Sequence, residues 1–274
     1  MSERLDVAMV AKGLAQSREK ARALIMAGVV YVEGARADKA GMPVGDAVSI
    51  EVRENPIPFV SRGGLKLQKA LEVFPIRLEG VTAADIGAST GGFTDCMLQH
   101  GAKHVYSIDV GYGQLDWSLR NDPRVTVMER TNARYMEEEW FQEAPSFASI
   151  DVSFISLQLM LPPLYDCLTE NGEIVALIKP QFEAGRSEVG KNGVVRDAKV
   201  HADVCRRMVD FALATGYHVR GLSYSPITGP KGNIEFLLYL ARCGEGEPVS
   251  ELEPGQVERI VMQAHENCIK CSFF

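Results

Sequence analysis

The sequence predicts an α/β protein: a doubly wound, Rossmann-like sheet preceded by a small α+β module. Three observations predict it. Apolar runs of strand length alternate with helical patterns from Thr82 onward. The first of those runs leads into a glycine-rich turn, Ala83 to Phe93 (A-A-D-I-G-A-S-T-G-G-F), which opens into a helix. The first fifty or so residues do not share the alternation, and a stretch with two prolines sets them apart.

In order along the chain, Leu5, Met9, Val10 and Leu14 recur at helical spacing. Ser17 sits where an N-cap belongs, and R-E-K-A-R-A-L-I-M-A follows as a second helix. Gly28 ends it as a C′ glycine. V-V-Y-V then E-G-A-R reads as a strand and turn. Val44 to Val52, with Gly45-Asp46 as a turn, reads as another strand. The module is therefore 1–52, and 53–60 (R-E-N-P-I-P-F-V) is an extended, stiff linker. The larger domain, 61–274, starts with S-R-G-G-L-K-L-Q-K-A-L, a loop running into a helix. Strands are expected at Thr82–Ile86, His104–Val110, Val125–Met128, Phe147–Val152, Gly172–Ile178, His218–Ser225 and Glu235–Leu240. Helices fit between them at Phe93–His100, around Trp117–Asn121, Ile155–Leu168 and Ala198–Thr215. S-P-I-T-G-P-K-G-N joins the last two strands without a helix, so they should pair as an antiparallel hairpin at the end of the sheet. The tail 251–274 reads as one helix.

Hydrophobic residues make up 46% of the chain and charged ones 24%, ordinary for a globular protein. No apolar run approaches the roughly 20 residues of a membrane span. M-S-E-R-L-D-V lacks an apolar signal core, which predicts a cytoplasmic protein. The net charge of −7 excludes a general positive coat but leaves room for a local basic face. Cys96, Cys167, Cys205 and Cys243 stand singly in apolar or helical stretches, as buried thiols do. Cys268 and Cys271 form one C-x-x-C with no second pair to complete a zinc site. They read as reduced thiols on the terminal helix, and no metal is expected. The five histidines fall in no motif and read as structural or surface residues.

Gly87, Gly91 and Gly92 let backbone approach a ligand where a Cβ would clash. With Asp85, Ala88, Ser89, Thr90 and Phe93 they form the candidate cofactor turn, although Phe93 itself reads more as core. Asp109 ends the next strand about twenty residues on, where an acid hydrogen-bonds the ribose of a nucleoside cofactor. The turn alone does not separate NAD from S-adenosylmethionine. The antiparallel final hairpin, expected in class I methyltransferases, favours S-adenosylmethionine. Asp151, Lys179 and Glu235 mark three further strand ends, where ligands and reacting groups gather in open α/β sheets. A lysine ending an apolar strand is costly unless paired or working. The plain alternative for Lys179 is an ion pair with Asp151 that pins two strands. Past Lys179, E-A-G-R-S-E-V-G-K-N-G-V-V-R-D carries Arg186, Lys191 and Arg196. It reads either as a mobile lid that contacts RNA or closes over the cofactor, or as an ordinary loop.

In the N-terminal module Lys12, Arg18, Lys20 and Arg22 form the densest basic cluster, which on charge alone reads as a solvated helix face. S-R-E-K-A-R-A-L-I-M-A-G-V-V-Y-V-E-G resembles the core of the S4 RNA-binding domain. That resemblance implies contact with structured RNA through Lys12, Ser17, Arg18, Lys20 and Arg22. Adding Lys66 to the strand-end set gives Lys-Asp-Lys-Glu. Residues 60–240 resemble the FtsJ/RrmJ-like ribose methyltransferases in S-R-G-G-L-K, D-I-G-A-S-T-G-G-F-T-D, D-V-S-F-I-S-L, L-I-K-P-Q-F-E and G-N-I-E-F. With its S4-like module the whole chain resembles the TlyA family, often labelled hemolysin A. The resemblance implies S-adenosylmethionine-dependent methylation of a ribose 2′-hydroxyl, a cytidine's, in ribosomal RNA or ribosomal subunits. It implies a tetrad of Lys66, Asp151, Lys179 and Glu235, a second cofactor role for Asp151, and RNA contact by Arg62. The chemistry agrees, because a 2′-hydroxyl must lose its proton as the methyl arrives. Lys179 can accept or steer that proton if burial or Lys66 lowers its pKa, with Asp151 and Glu235 orienting the lysines. Two other readings are an RNA-binding assembly protein with a weakly active domain, and a membrane-active hemolysin. The second lacks a signal peptide, a spanning segment and a strongly amphipathic cationic helix.

Overall fold

A computed structural model describes residues 2–26, 28–52 and 57–270 of the chain. They form two compact units, Met1–Ser61 and Arg62–Phe274. In the first, β1 (Ser2–Arg4) runs into α1 (Leu5–Ala11), and α2 (Arg18–Met26) follows. Ser17 caps α2, its Oγ accepting the Lys20 N–H at 3.2 Å. Gly28, at φ +75°, lets the chain leave the helix. Four short strands complete the unit: β2 (Val30–Val32), β3 (Ala35–Arg36), β4 (Pro43–Gly45) and β5 (Ile50–Val52). Leu5, Met9, Ala21, Ile25, Val30 and Ile50 meet in its core. Val44 to Val52 is not one strand. The chain reverses at 45–48, so β4 pairs with β1 while β5 pairs with β2, in two different sheets. Residues 53–56, the first half of the expected linker, lie outside the described residues.

The second unit opens with α3 (Gly64–Val73), then β6 (Thr82–Ile86), α4 (Gly92–Gln99), β7 (His104–Ile108), α5 (Trp117–Arg120) and β8 (Val125–Met128). β9 (Phe147–Ile150), α6 (Leu161–Cys167), β10 (Glu173–Ile178), α7 (Pro180–Glu183) and α8 (Ala198–Thr215) follow. β11 (Tyr217–Tyr224), β12 (Phe236–Arg242) and α9 (Gln256–Lys270) complete it. The seven strands lie in the order β11-β12-β10-β9-β6-β7-β8. The first five, β6 to β10, are parallel to one another; β12 runs antiparallel to both β10 and β11. The final hairpin therefore forms as expected, with β12 inserted beside β10 and β11 taking the edge. From β6 the chain first builds outward through β7 and β8, then returns to place β9 on the other side. That is a topological switch point, and it opens a crevice at the carboxyl ends of β6 and β9.

The strands run as near-continuous apolar lines because both faces are covered. Ile86, Ile108, Ile150, Ile178 and Phe236 are all buried in one core. The helix expected over 155–168 is broken into a 3₁₀ turn, Leu157–Leu159, and α6. Pro162 and Pro163 fit only the first turn of an α-helix, so α6 starts there. Cys96, Cys167, Cys205 and Cys243 are free and buried. Cys271 and the side chain of Cys268 lie outside the described residues.

Candidate active site

Four charged side chains from distant parts of the second unit meet at the carboxyl end of the sheet. Asp151 follows β9, Lys179 follows β10, Glu235 precedes β12, and Lys66 comes from the first turns of α3. Lys66 Nζ lies 3.1 Å from Asp151 Oδ2 and 2.7 Å from Glu235 Oε2. Lys179 Nζ lies 2.5 Å from Asp151 Oδ1 and donates to Ser153 Oγ at 3.1 Å. Lys66, Lys179 and Glu235 are buried, and Asp151 is partly open. Two cations and two carboxylates balance, which is what makes burying four charges tolerable. Burial works to raise the Asp151 carboxyl, but the charges of Lys179 and Lys66 outweigh it and hold the group below the usual carboxylate range. Burial likewise works to lower the Lys66 amine, and Asp151 and Glu235 raise it above the ordinary lysine value. The Lys179–Asp151 pair, the plain alternative reading for Lys179, exists as one edge of a larger cluster.

Beside this cluster lies a cleft of about 360 Å³ at the switch point. Gly87 and Ser89 of the turn line it, with Asp109, Gln114, Asn132, Asp151 and Phe154. Gly87 has φ +85°, and a Cβ there would stand 2.8 Å from the Asp151 carbonyl oxygen. Glycine is therefore what lets the turn close against the loop after β9. Asp109 accepts the Ser89 N–H at 2.8 Å and the Gly111 N–H at 2.6 Å. Each of its oxygens keeps further acceptor capacity for ribose hydroxyls. A mostly apolar cleft of this volume with an acid at the ribose position fits a nucleoside cofactor.

Several expected cofactor residues stand elsewhere. Asp85 is wholly buried beneath the turn and does not line the cleft. It accepts from the Thr94 N–H and hydroxyl at 2.9 and 2.7 Å, and from the Ser149 hydroxyl at 3.0 Å. Burial pushes its carboxyl up to about 6 against those hydrogen bonds. It braces the start of α4. Phe93 and Gly92 are buried at that helix start, Ala88 is buried, and Gly91 packs on Leu115 and Leu119. Thr90 is exposed, its carbonyl accepting the Asp116 N–H.

Sequence reasoning missed Gln114, Asn132 and Phe154, which sit in loops without period. Phe154 is 90% exposed at φ +64°, its ring 5.0 Å from that of Phe182 on α7. Glu183 of α7 accepts from the Ser156 hydroxyl and the Leu157 N–H, tying this loop to the chain just after Lys179. The expected lid is anchored at its far end. Val194 and Val195 are buried, and Asn233 bonds the backbone of Val195 and Gly193. Arg186, Lys191 and Arg196 are exposed on it, as is Arg62 before α3.

In the first unit Lys20 is exposed, and Lys12 Nζ donates to the Val48 carbonyl at 2.6 Å. Arg18 and Arg22 are not simply a solvated face, for both reach back to Asp6 of α1.

Residues 59–242 match the family model of FtsJ-like methyltransferases, and residues 3–47 match that of the S4 domain. The chain is 56% identical, over 96% of its length and 94% of the relative's, to a candidate rRNA methyltransferase of Bacillus subtilis, YqxC. It is 46% identical, over 86% of its length and 89% of the relative's, to the 16S/23S rRNA (cytidine-2′-O)-methyltransferase TlyA of Mycobacterium tuberculosis. A solved structure from Streptococcus thermophilus, described as a candidate hemolysin, aligns with TM-score 0.80 at 47% identity, covering 100% of this chain and 99% of that one. Among the described residues no helix is long and apolar enough to cross a membrane.

Proposed function

Since the chain belongs to the FtsJ-like methyltransferase family, we propose that it methylates the ribose 2′-hydroxyl of a cytidine in ribosomal RNA, using S-adenosylmethionine. The observation that carries this reading is the buried Lys66–Asp151–Lys179–Glu235 cluster beside a nucleoside-sized cleft. When bound, the cofactor supplies an electrophilic methyl group on a sulfonium. Asp109 and the backbone at Gly87 and Ser89 would hold its nucleoside, with Asn132 and Gln114 on the walls.

Lys179 is the group assigned to the hydroxyl proton. It ends a strand, which fixes it more firmly than a loop would. Asp151 and Ser153 aim its nitrogen. Lys179 and Lys66 keep Asp151 ionised, and Glu235 holds Lys66 in place. Proton transfer of this kind is worth about 10²–10⁴-fold, and positioning supplies much of the rest. The S4 module contributes RNA affinity and register. Exposed Arg62 and the basic residues of the 184–197 loop supply further phosphate contacts.

The test is methyl transfer from labelled S-adenosylmethionine to ribosomal subunits lacking the modification, wild type beside Lys179→Ala. Label on cytidine 2′-oxygens from the wild type, lost in the variant, supports the reading. A cofactor-binding wild type that labels no RNA overturns it.

A further inference from the structure

The chain just after Lys179 carries an acid that the proposed reaction does not use. Glu183 ends α7, a helix of one turn that Pro180 starts. It is partly buried and does not line the cleft. Its Oε2 accepts the Ser156 hydroxyl at 2.6 Å, and its Oε1 accepts the Leu157 N–H at 2.8 Å. Its backbone carbonyl accepts from Arg207 Nη2 of α8 at 3.2 Å. Burial pushes its carboxyl above the usual carboxylate range, against those two side-chain hydrogen bonds and the Arg207 charge. Val152, Ser153, Phe154 and Ile155 do line the cleft, and they lead directly into the two residues that Glu183 holds. Phe154 stands at φ +64°, a left-handed conformation that a bulky residue keeps only when its surroundings impose it.

We infer that Glu183 is a positioning residue of the active site: it fixes the 152–157 segment, and with it the wall of the cleft and the Ser153 hydroxyl that aims Lys179. Two short segments, 153–157 and 179–183, are joined at both ends. At one end Lys179 Nζ donates to Ser153 Oγ at 3.1 Å. At the other Glu183 takes Ser156 and Leu157. Between them the Phe182 ring lies 5.0 Å from that of Phe154. Ser153 is exposed on its loop, so its hydroxyl stays where the backbone on either side puts it. The Asp151 N–H, on the Ile86 carbonyl, fixes the start of that backbone, and Glu183 fixes its finish. Hydrogen bonds to a carboxylate are the stronger kind. Arg207 in turn ties the Glu183 backbone to the long helix α8, so the clamp is referenced to the scaffold. Reacting groups need placing to within about 0.5 Å, which a loop supplies only when such supports hold it. Released at its far end, Ser153 would follow the Lys179 amine instead of orienting it. This inference rests on the proposed roles of the cleft and of Lys179, and it names what sets their geometry.

The test compares the full chain with Glu183→Ala, Ser153→Ala and the double variant, all well below their melting points. Calorimetry without RNA gives the Kd for S-adenosylmethionine, and labelling of ribosomal subunits at saturating cofactor and RNA gives kcat. Glu183→Ala should raise Kd about tenfold, because the wall is no longer preorganised. It should lower kcat on the order of 10²-fold, the effect of misplacing a reacting group by about 1 Å. Because Glu183 acts through Ser153, adding Glu183→Ala to Ser153→Ala should lower kcat by no more than about threefold further. A general weakening of the fold would instead make the two losses multiply. Multiplied losses, or a Glu183→Ala variant with wild-type kcat, overturn the inference. If the wild type binds S-adenosylmethionine but labels no RNA, the proposed reaction falls and the Kd still decides for Glu183: a raised value supports the clamp, and an unchanged one overturns it. A wild type that binds no S-adenosylmethionine overturns both. Should Glu183→Ala fail to fold, Ser156→Ala takes its place, removing one of the two donors. A Kd raised about threefold with a lowered kcat then supports the clamp, and wild-type values of both overturn it.

Discussion

Glu235→Gln removes one of the two carboxylates that hold Lys66 while keeping the side chain's size. The two groups are 2.7 Å apart, and Glu235 is 1% exposed. Unit charges even 4 Å apart attract by about 4 kcal/mol at an effective dielectric near 20. Desolvation offsets much of that, and breaking a buried pair costs about 3–5 kcal/mol when nothing replaces the lost partner. Here Asp151 remains 3.1 Å from the same amine, and glutamine still offers an oxygen. The expected net loss is about 2–3 kcal/mol, which lowers Tm by about 4–12 °C for a unit of this size.

The pH dependence gives a second readout. Lys66 has a folded pKa raised above its unfolded value, so its contribution is complete below about pH 10.5 and is lost as pH rises through the folded value. Taking away Glu235 lowers the folded value, so the alkaline loss of stability becomes smaller and is complete at lower pH. Calorimetric melts of the full chain between pH 7 and 11 measure both effects. Turnover should fall on the order of 10²-fold. Cofactor affinity should hold, because Glu235 does not line the cleft. A variant that melts like the wild type on the same alkaline limb would show that the Lys66–Glu235 pair contributes nothing. Full turnover would remove Glu235 from the machinery.

Asp85→Asn tests the brace beneath the turn. Its carboxyl is pushed from 3.8 to about 6, so its neutral form favours folding below about pH 4 and that contribution fades as pH rises through 6. The wild-type minus variant difference in unfolding free energy should therefore change by about 3 kcal/mol between pH 4 and 7; a flat difference would mean the group titrates normally. Phe154→Ala should raise KM for RNA about tenfold with little effect on melting, since an exposed ring at the cleft rim can stack a base for about 1–3 kcal/mol. An unchanged KM would leave Phe154 without that role. Gly87→Ala forces a Cβ to within 2.8 Å of the Asp151 carbonyl at φ +85°, and about 1–2 kcal/mol of backbone strain comes with it. Cofactor affinity by calorimetry should fall at least about tenfold, and unaltered affinity would show that the turn has room.

The strand ends were readable because continuous apolar runs of strand length show where strands stop, and an open sheet gathers its site there. Asp151, Lys179 and Glu235 were found that way. Lys66 was not, because it sits on a helix 85 residues before Asp151, and only the family resemblance tied it to the set. Gln114, Asn132 and Phe154 lie in aperiodic loops, which carry no positional signal in a single sequence. Asp85 misled for a physical reason. An acid leading a glycine turn looks like a ligand group, but Thr94 and Ser149, 9 and 64 residues away, claim its oxygens. The arginines of α2 looked like a solvated face because their partner, Asp6, belongs to another helix. β1 escaped notice because S-E-R has no apolar alternation, and only its pairing with β4 makes it a strand.

Asp151 joins the two halves of the site. Its N–H bonds the Ile86 carbonyl, its own carbonyl abuts Gly87, and its carboxylate holds both lysines. The turn proposed to hold the cofactor and the amine proposed to handle the proton are thus referenced to one residue at the end of β9. Displacing the turn must displace the carboxylate, and with it Lys179. Asp109 meets the turn only through the Ser89 N–H, its other side-chain partner being the Gly111 N–H, and does not touch Asp151. Gly87→Ala should therefore lower kcat as well as cofactor affinity. Asp109→Asn should lower affinity alone, with turnover recovering at saturating cofactor. Equal kcat losses in the two variants would show that the coupling does not run through Asp151.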